Sequence, residues 1–425
     1  MKIAVLKEAA AHERRAPIVP DSVKRLGQKK IEVVVESGAG ERALSADTDY
    51  TKEGATVAAD AAATIAAADA VMRLRIPTLD EVALMKEGST LFAPLLPLVN
   101  HDLVKALAAK KITSFAVDFI PRTTVAQMMD VLSSQGTAAG YYAVVLAASQ
   151  LPRFFPMLIT AAGTIAPATL LVLGAGVAGL SAIGAGKRLG ARVEAFDVRK
   201  VVKEQVESLG AKFVEVDSDE DAQTAGGYAK EVSEEYKKKQ AEALARHVAK
   251  ADVVICTALI PGKRAPILVT EEMVRAMKPG SVVVDLAAET GGNVEGSVAG
   301  EVVRIGNAQV WGGRNVPSQM PGPASKLYAQ NVLNLVTLMT TRDEDGNGVF
   351  APDFADEIVS GSCVTHDGAI VHEATREAVE GPPDAPADVL PAADPSAEPA
   401  APEAPTEAAT ADEQLDLPYD QEADQ

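Results

Sequence analysis

Three glycines near the middle of the chain have the spacing of a phosphate-binding turn. Gly174, Gly176 and Gly179 directly follow the apolar run 169–173 and precede a helical pattern. In a strand–turn–helix unit, the first glycine allows a tight turn, the second lets a pyrophosphate approach the backbone, and the third lets helix and strand pack closely. The helix N-terminus, near Val177, offers free N–H groups and a positive dipole end to phosphates. The motif therefore predicts a dinucleotide site.

An acidic residue follows at the distance that such a site requires. Asp197 ends the next apolar run, 18 residues after Gly179. A carboxylate there accepts hydrogen bonds from the adenosine ribose and repels a 2′-phosphate, which favours NAD(H) over NADP(H). Val198 and Arg199 complete this region of the site, although an arginine here could instead meet a 2′-phosphate. An ordinary strand–helix turn is the alternative, which the strand, the spacing and Asp197 together disfavour.

Two series of short strands that alternate with helices must position these residues. Such alternation is the signature of mostly parallel sheets. A long helix is predicted over residues 126–150, and a helix at 327–339 returns the chain to the first series. The predicted strands are 1–7, 31–36, 70–72 and 90–92 in the first series, and 169–173, 192–196, 212–216, 252–256 and 281–285 in the second.

These elements predict an α/β chain of two Rossmann-like domains with parallel sheets and a cleft between them. The first domain comprises residues 1–135 and 320–375, of which 341–375 should form turns and short strands. The NAD-binding domain comprises residues 136–319. Residues 376–425 are rich in Pro, Ala and acidic residues, and we expect them to be disordered because they bury too little apolar surface to offset the entropy of ordering.

Charge and cysteine content argue against several classes of protein. Of the net charge of −19, residues 376–425 contribute −13, so the rest of the chain carries only −6. There is no basic stripe, and nucleic-acid binding is not expected. Cys256 and Cys363 lack the spacing of a zinc site or a disulfide framework, which fits a reducing cytoplasm. With no signal peptide and no apolar run near the roughly 18 residues of a membrane span, a role at a membrane requires a partner.

A polar segment before the long predicted helix forms a second candidate site. Gln127 and Asp130 are three residues apart at the predicted helix start and should share one face. Arg122 lies just before them, near enough in sequence to pair with Asp130. An arginine–carboxylate pair beside an amide can orient a carboxamide. On the residues alone, a helix cap with a solvated surface pair is an equally good interpretation.

Several longer motifs add to this pattern. Residues 122–134 match R-I-S-R-A-Q-x-x-D-x-L-S-S at Arg122, Gln127, Asp130 and Ser133, and the sequences ITAAGT, TAGGYAK, TALIPGK and VDLA occur at 159–164, 224–230, 257–263 and 284–287. Over about residues 1–375 the chain resembles domain I, the NAD(H)-binding domain, of the α subunit of proton-translocating NAD(P) transhydrogenase. The departures from the first motif are Thr123, Thr124 and Val125, which replace isoleucine, serine and arginine.

The resemblance implies a role for the polar segment. Residues 122–125 and Ser133 would hold the nicotinamide end of NAD(H) and its ribose. Arg122, Gln127 and Asp130 would be catalytic, with Gln127 facing NADP(H) on the partner domain. The enzyme would be a Re/Si-specific, proton-translocating NAD(P)⁺ transhydrogenase that is catalytic only with its partner subunit.

Two further segments complete the implied NAD(H) site. Gly227 and Tyr228 would lie on the family's mobile loop, which closes over the dinucleotide and excludes water. Thr257, Ala258 and Leu259 follow a predicted strand end, where dinucleotide contacts lie in open α/β sheets.

The resemblance also implies partners and a location. They are an NADP(H)-binding β subunit and a membrane-spanning subunit that would move the protons, together with a second copy of the chain in a homodimer. The location would be cytoplasmic, peripheral at the inner membrane through those subunits.

Alanine dehydrogenase, which has the same two-domain fold, is the rival. Its pocket uses a lysine and a histidine, which would belong on 72–77 and just after the strand in 91–97, but neither segment contains them. Arginine does not shuttle protons at neutral pH, nor can Leu96, and His101 is expected at the surface. Hydride transfer between two nicotinamide rings instead needs proximity and alignment. A non-catalytic NAD sensor ranks last, because no effector surface is evident.

Overall fold

The computed structural model describes residues 1–216, 233–259, 264–344 and 346–381. All of these residues belong to one compact unit. The strands, in chain order, are β1 Lys2–Val5, β2 Glu32–Glu36, β3 Thr56–Ala58, β4 Ala70–Met72, β5 Thr90–Ala93, β6 Thr113–Ala116, β7 Leu158–Thr160, β8 Gly163–Ile165, β9 Thr169–Leu173, β10 Arg192–Phe196, β11 Lys212–Phe213, β12 Val253–Cys256, β13 Val282–Asp285, β14 Val302–Ile305, β15 Ala308–Gly312, β16 Thr340–Arg342, β17 Gly348–Phe350, β18 Cys363–His366 and β19 Ala369–Ile370.

Helices connect these strands, and several begin at residues that cap their free N–H groups. Asp130, Ser233 and Thr270 accept hydrogen bonds from the first turns of α6, α9 and α10. The helices are α1 Pro20–Gly27, α2 Asp47–Lys52, α3 Ala61–Ala66, α4 Leu79–Leu84, α5 His101–Ala109, α6 Val131–Gln150, α7 Val177–Arg188, α8 Lys203–Ser208, α9 Glu234–Val248, α10 Glu271–Arg275, α11 Pro321–Leu338, α12 Glu357–Ser362 and α13 Glu373–Glu380.

Two large sheets carry the fold, and each is mostly parallel. The first has the order β19-β18-β6-β5-β4-β1-β2-β3, and the second has the order β11-β10-β9-β12-β13-β15-β14. The antiparallel pairs lie at the sheet edges, where β18 meets β6 and β19, and β14 meets β15. The direction of winding reverses between β1 and β4 in the first sheet and between β9 and β12 in the second. Both sheets are therefore doubly wound, and each has a crevice at its switch point.

Helices cover both faces of each sheet. In β1, Ile3 packs into one apolar layer and Ala4 into the other. In β9, Leu170 and Leu171 divide in the same way. Strands buried on both faces are continuously apolar, which is why these runs could be recognised in the sequence. The α/β class with two Rossmann-like sheets is confirmed.

The predicted long helix over 126–150 is wrong at its start. Residues 126–129 form a 3-10 turn, and α6 begins only at Val131. Asp130 between them has an extended backbone, with φ −76° and ψ 98°, because its carboxylate caps the N-terminus of α6.

The C-terminal expectations also need correction. The segment 341–375 contains α12 as well as short strands, and α13 continues to Glu380, beyond the predicted start of the tail at residue 376. α13 is capped by the His372 ring, and its Thr375 is buried. The remainder of the predicted disordered tail lies outside the described residues. None of the described helices is both long enough and apolar enough to span a membrane.

Candidate dinucleotide site

The glycine turn joins β9 to α7 at the switch point of the second sheet. Gly174 has φ +100°, a conformation that L side chains rarely adopt. A Cβ on Gly174 would lie 2.6 Å from Thr257 Oγ1 and 3.1 Å from Ala258 N. A Cβ on Gly179 would overlap the carbonyl oxygen of Gly174. The first and third glycines are therefore required by the close approach of β9, β12 and α7.

Gly176 has a different environment, which fits a phosphate ligand. It precedes α7 as the N-cap, and a Cβ there would meet no atom within 4 Å. The first N–H groups of a helix have no intrahelical partner. Exposed Val177 begins the helix at the same place. Open space above unpartnered N–H groups at a helix N-terminus suits the pyrophosphate of a dinucleotide.

Asp197 lies at the end of β10, beside the glycine turn. Its carboxylate accepts a hydrogen bond from Ala175 N at 2.7 Å and a bidentate pair from Arg199, with Nε at 2.9 Å and Nη2 at 2.8 Å. Asp197 is buried, and Arg199 and Val198 are half-buried. The sequence left open whether Arg199 would meet a 2′-phosphate. In the structure its guanidinium is paired within the chain, so its charge is already matched.

The loop after β12 forms the opposite wall of the crevice. Thr257 Oγ1 donates to the carbonyl oxygen of Gly174 at 3.0 Å, which fastens this loop to the glycine turn. Ala258 is half-buried, and Leu259 is 46% exposed. The structure thus brings the glycines, Asp197 and residues 257–259 together around one crevice, as the sequence predicted.

The polar segment 122–133 approaches this crevice because α6 packs on α7. Gly140 is so close to α7 that a Cβ on it would overlap the carbonyl oxygen of Ala178, and Ser181 Oγ donates to Thr137 O at 2.8 Å. A Cβ on Gly136 would lie 3.7 Å from Ala178 N. Asp130 precedes Gly136 by six residues, about 9 Å of helix rise. The segment therefore lies near the portion of a dinucleotide that extends beyond its pyrophosphate.

Within this segment, two residues anchor the backbone and leave polar side chains accessible. Ala126 and Met129 are buried in the first core, and the carbonyl oxygen of Met128 accepts hydrogen bonds from Asn331 and Asn334 of α11. The outward-facing residues are Arg122, Thr124, Val125 and Gln127, while Thr123 is half-buried.

Asp130 and Ser133 form a cap rather than a helix face. Ser133 donates to the Asp130 carboxylate from its backbone N at 3.0 Å and from its hydroxyl at 2.5 Å. The prediction that Gln127 and Asp130 share one helix face is wrong, since Gln127 belongs to the preceding 3-10 turn. The pairing of Arg122 with Asp130 stays a prediction. Gly227 and Tyr228 lie outside the described residues, so the loop assigned to them stays a prediction too.

The crevice of the first sheet is filled by the chain itself. Buried Glu8, which follows β1, accepts hydrogen bonds from Leu74 N at 2.8 Å and from Arg73 Nη2 at 3.0 Å. Burial raises the pKa of Glu8, and the Arg73 charge opposes that shift. Arg73 also pairs with Glu81. Sequence reasoning missed this arrangement because the partners are 65 residues or more apart.

The positions of the rival chemistry hold no acid–base pair. Leu96 is 45% exposed, with φ +44°. His101 is half-buried at the start of α5, and its Nε2 lies 2.9 Å from the carbonyl oxygen of Leu98. Cys256 is fully buried, and burial raises the pKa of its thiol well above the usual range, so it is a packing residue rather than a nucleophile.

Sequence reasoning also missed Asp285 and Asn293. Asp285 is buried at the end of β13, and Asn293 is buried in the following loop, where its side chain reaches Ala258. A signal was present, because a Gly-Gly-Asn sequence follows a strand that ends in an acidic residue.

Fold and site together define a two-domain α/β protein of the Rossmann type with one open dinucleotide crevice. Family models described as "Alanine dehydrogenase/PNT, N-terminal domain" and "Alanine dehydrogenase/PNT, C-terminal domain" match residues 4–139 and 143–373. The chain belongs to the alanine dehydrogenase/PNT family, which confirms the family suggested by the sequence motifs.

Named relatives fall in both branches of this family. The first of the separate chains that make up the NAD(P) transhydrogenase α subunit of Rhodospirillum rubrum is 50% identical over 381 residues, 88% of this chain and 98% of the relative. The alanine dehydrogenase of Halomonas elongata is 31% identical over 386 residues, 89% of this chain and 96% of the relative. The crystal structure of transhydrogenase from Sinorhizobium meliloti superposes with a TM-score of 0.78 at 43% identity, covering 87% of this chain and 100% of that one.

Proposed function

We propose that this chain is the NAD(H)-binding subunit of proton-translocating NAD(P) transhydrogenase. One structural observation carries the proposal: the outward-facing segment 122–128 lies beside the first turn of α7, at the open end of the dinucleotide crevice. A nicotinamide held there would be accessible to a nucleotide on a second protein. The identity to a transhydrogenase α-subunit chain over nearly the whole relative supports this proposal.

The chain's own residues would bind and orient NAD(H). Residues 174–179 would hold the pyrophosphate and Asp197 the adenosine ribose. Arg122 would orient the nicotinamide carboxamide, and the Asp130–Ser133 cap would hold the ribose next to it. Gln127, which is exposed, would face NADP(H) on the partner domain. The loop that carries Tyr228 would close over the site.

Catalysis would then depend on alignment. NAD(H) supplies or accepts the hydride at the nicotinamide ring, and that transfer moves no proton at the carbon centres. Holding two rings in contact converts an encounter between two nucleotides into a step within one complex, and such orientation is worth about 7–11 kcal/mol in favourable cases. The chain's role is to fix one ring at the edge of the crevice. Proton translocation would belong to the membrane-spanning subunit.

The partners follow from the same proposal. An NADP(H)-binding β subunit would cover the segment 122–128, and the chain would lie in the cytoplasm at the inner membrane through its partner subunits. The homodimer has separate support in the β7–β8 hairpin. Met157 and Ile159 there are 57% and 77% exposed, and Phe154 just before the hairpin is 53% exposed. Large apolar side chains grouped on a surface are typical of a protein interface.

The nucleotide preference gives a first prediction. Asp197→Asn should weaken NADH binding about tenfold, because a charge-assisted hydrogen bond to the ribose is lost, and should strengthen NADPH binding, because the repulsion of a 2′-phosphate is removed. Titration of both nucleotides measures the two dissociation constants. Glu194→Gln, on the same strand, is the matched control, since Glu194 pairs with His247 away from the glycine turn. An unchanged preference in Asp197→Asn would remove Asp197 from the ribose site.

Reconstitution tests the proposed reaction. Mixed with the NADP(H)-binding subunit, the chain should transfer hydride from NADH to an NADP⁺ analogue that absorbs at a separate wavelength, and neither protein alone should do so. The rival activity is tested in parallel with NADH, pyruvate and ammonia. Turnover in that assay by the chain alone would favour an alanine dehydrogenase and overturn the proposal.

A further inference from the structure

The loop that forms one wall of the dinucleotide crevice is held by a single buried amide. Asn293 is fully buried. Its Oδ1 accepts a hydrogen bond from Ala258 N at 3.0 Å, and its Nδ2 donates to Ala258 O at 2.9 Å and to Pro266 O at 2.8 Å. One side chain thus binds both polar groups of residue 258 and ties it to residue 266.

Asn293 is in turn fixed by the end of a central strand. The buried carboxylate of Asp285 accepts hydrogen bonds from Asn293 N at 3.0 Å, Val294 N at 3.1 Å and Ala287 N at 3.0 Å. Gly292 before it has φ +77°, and a Cβ there would lie only 3.0 Å from Asp285 Oδ2. The backbone at residue 293 is therefore held by β13, and its side chain transmits that position to the loop after β12.

The held peptide is the one that faces the glycine turn. Ala258 N lies 3.1 Å from where a Cβ on Gly174 would be, and the neighbouring Thr257 hydroxyl is bonded to Gly174 O. We propose that Asn293 is a positioning residue for the dinucleotide: it sets the distance between the 257–259 wall and the glycine turn, and so the width of the crevice. This inference rests on the proposed NAD(H) site.

Two variants distinguish positioning from general stabilisation. Asn293→Ser removes the hydrogen bonds to residues 258 and 266, and should weaken NADH binding about tenfold. Asn293→Asp keeps the shape but places a carboxylate oxygen opposite two carbonyl oxygens, and should weaken binding further. In the reconstituted reaction, both should raise KM for NADH while kcat at saturating NADH stays within about twofold of wild type.

Asp252→Asn is the control for stability alone. Asp252 is equally a buried polar residue of this domain, but it lies at the opposite end of β12, where it accepts from Thr169 N and Lys278 Nζ. It should lower the melting temperature without changing NADH affinity. If Asn293→Ser lowers the melting temperature to a similar degree and leaves KM for NADH unchanged, Asn293 has no positioning role.

Hydrogen exchange on the wild-type chain provides a test that needs no variant. The Ala258 amide should exchange slowly without NADH, as strand amides do, because its acceptor Oδ1 is buried. Exchange as fast as that of an exposed loop amide would overturn the inference even if the variants do not fold. Absence of NADH binding by the wild-type chain would instead overturn the proposed function, and the exchange result would still decide whether Asn293 holds the loop.

Discussion

Gly179→Ala is expected to reduce NADH affinity by about 100-fold or more, which corresponds to about 2.7 kcal/mol. The added Cβ would overlap the carbonyl oxygen of Gly174 and lie 3.1 Å from Thr257 Oγ1. The first overlap is with backbone, which no side-chain rotation can relieve. Either α7 or the glycine turn must move, and both carry the N–H groups assigned to the pyrophosphate. An NADH titration measures the loss, and thermal unfolding shows whether the chain still folds.

Gly184→Ala is the matched control in the same helix. A Cβ on Gly184 would meet no atom within 4 Å. Alanine is favoured over glycine inside a helix by about 0.5–1 kcal/mol, so this variant should be at least as stable as wild type. It should bind NADH normally. Normal NADH binding by Gly179→Ala as well would show that the glycine turn does not hold the pyrophosphate.

The glycine turn could be predicted because all its determinants are close together in the sequence. A strand buried on both faces is a continuous apolar run, as in residues 169–173, and the glycine spacing follows at once. The same reasoning located β10, β12 and β13 to within a residue. Asp197 was found because the next strand of a βαβ unit must end beside the turn.

Contacts between distant residues could not be predicted in this way. Asn293 and Ala258 are 35 residues apart, and Glu8 is 66 residues from Leu74. No periodicity records such a pair. Edge strands were missed for a related reason: β18 joins the first sheet by pairing with β6 from the far end of the chain. Burial of an isolated polar residue becomes visible only once the partner is placed.

The polar segment shows the limit of helical periodicity. Apolar spacing over 126–150 is continuous enough to predict one helix, yet the backbone is extended at Asp130. Asp is favoured at a helix N-cap and less favoured inside a helix, and here the capping preference prevails. The error matters for function, because it changes Gln127 from a helix-face residue into a member of a separate turn.

Gly140→Ala is expected to lower the rate of reconstituted hydride transfer about 10- to 100-fold, with a smaller change in NADH affinity. A Cβ on Gly140 would overlap the backbone oxygen of Ala178, so α6 must shift relative to α7. The glycine turn itself would remain intact, whereas the segment 122–130, which leads into α6, would be displaced. Misplacement of about 1 Å is enough for a 100-fold loss when catalysis depends on alignment. Overpacking should also lower the free energy of unfolding by about 1–3 kcal/mol.

Gly136→Ala, one helical turn earlier, separates this effect from a general change in α6. A Cβ there would lie 3.7 Å from its nearest neighbour, an ordinary van der Waals distance, so the helices need not move. We therefore expect wild-type kcat from Gly136→Ala and a reduced kcat at saturating NADH from Gly140→Ala. If Gly140→Ala instead weakens NADH binding and leaves kcat unchanged, then α6 acts only on the pyrophosphate end. The segment 122–130 would then not be what aligns the nicotinamide.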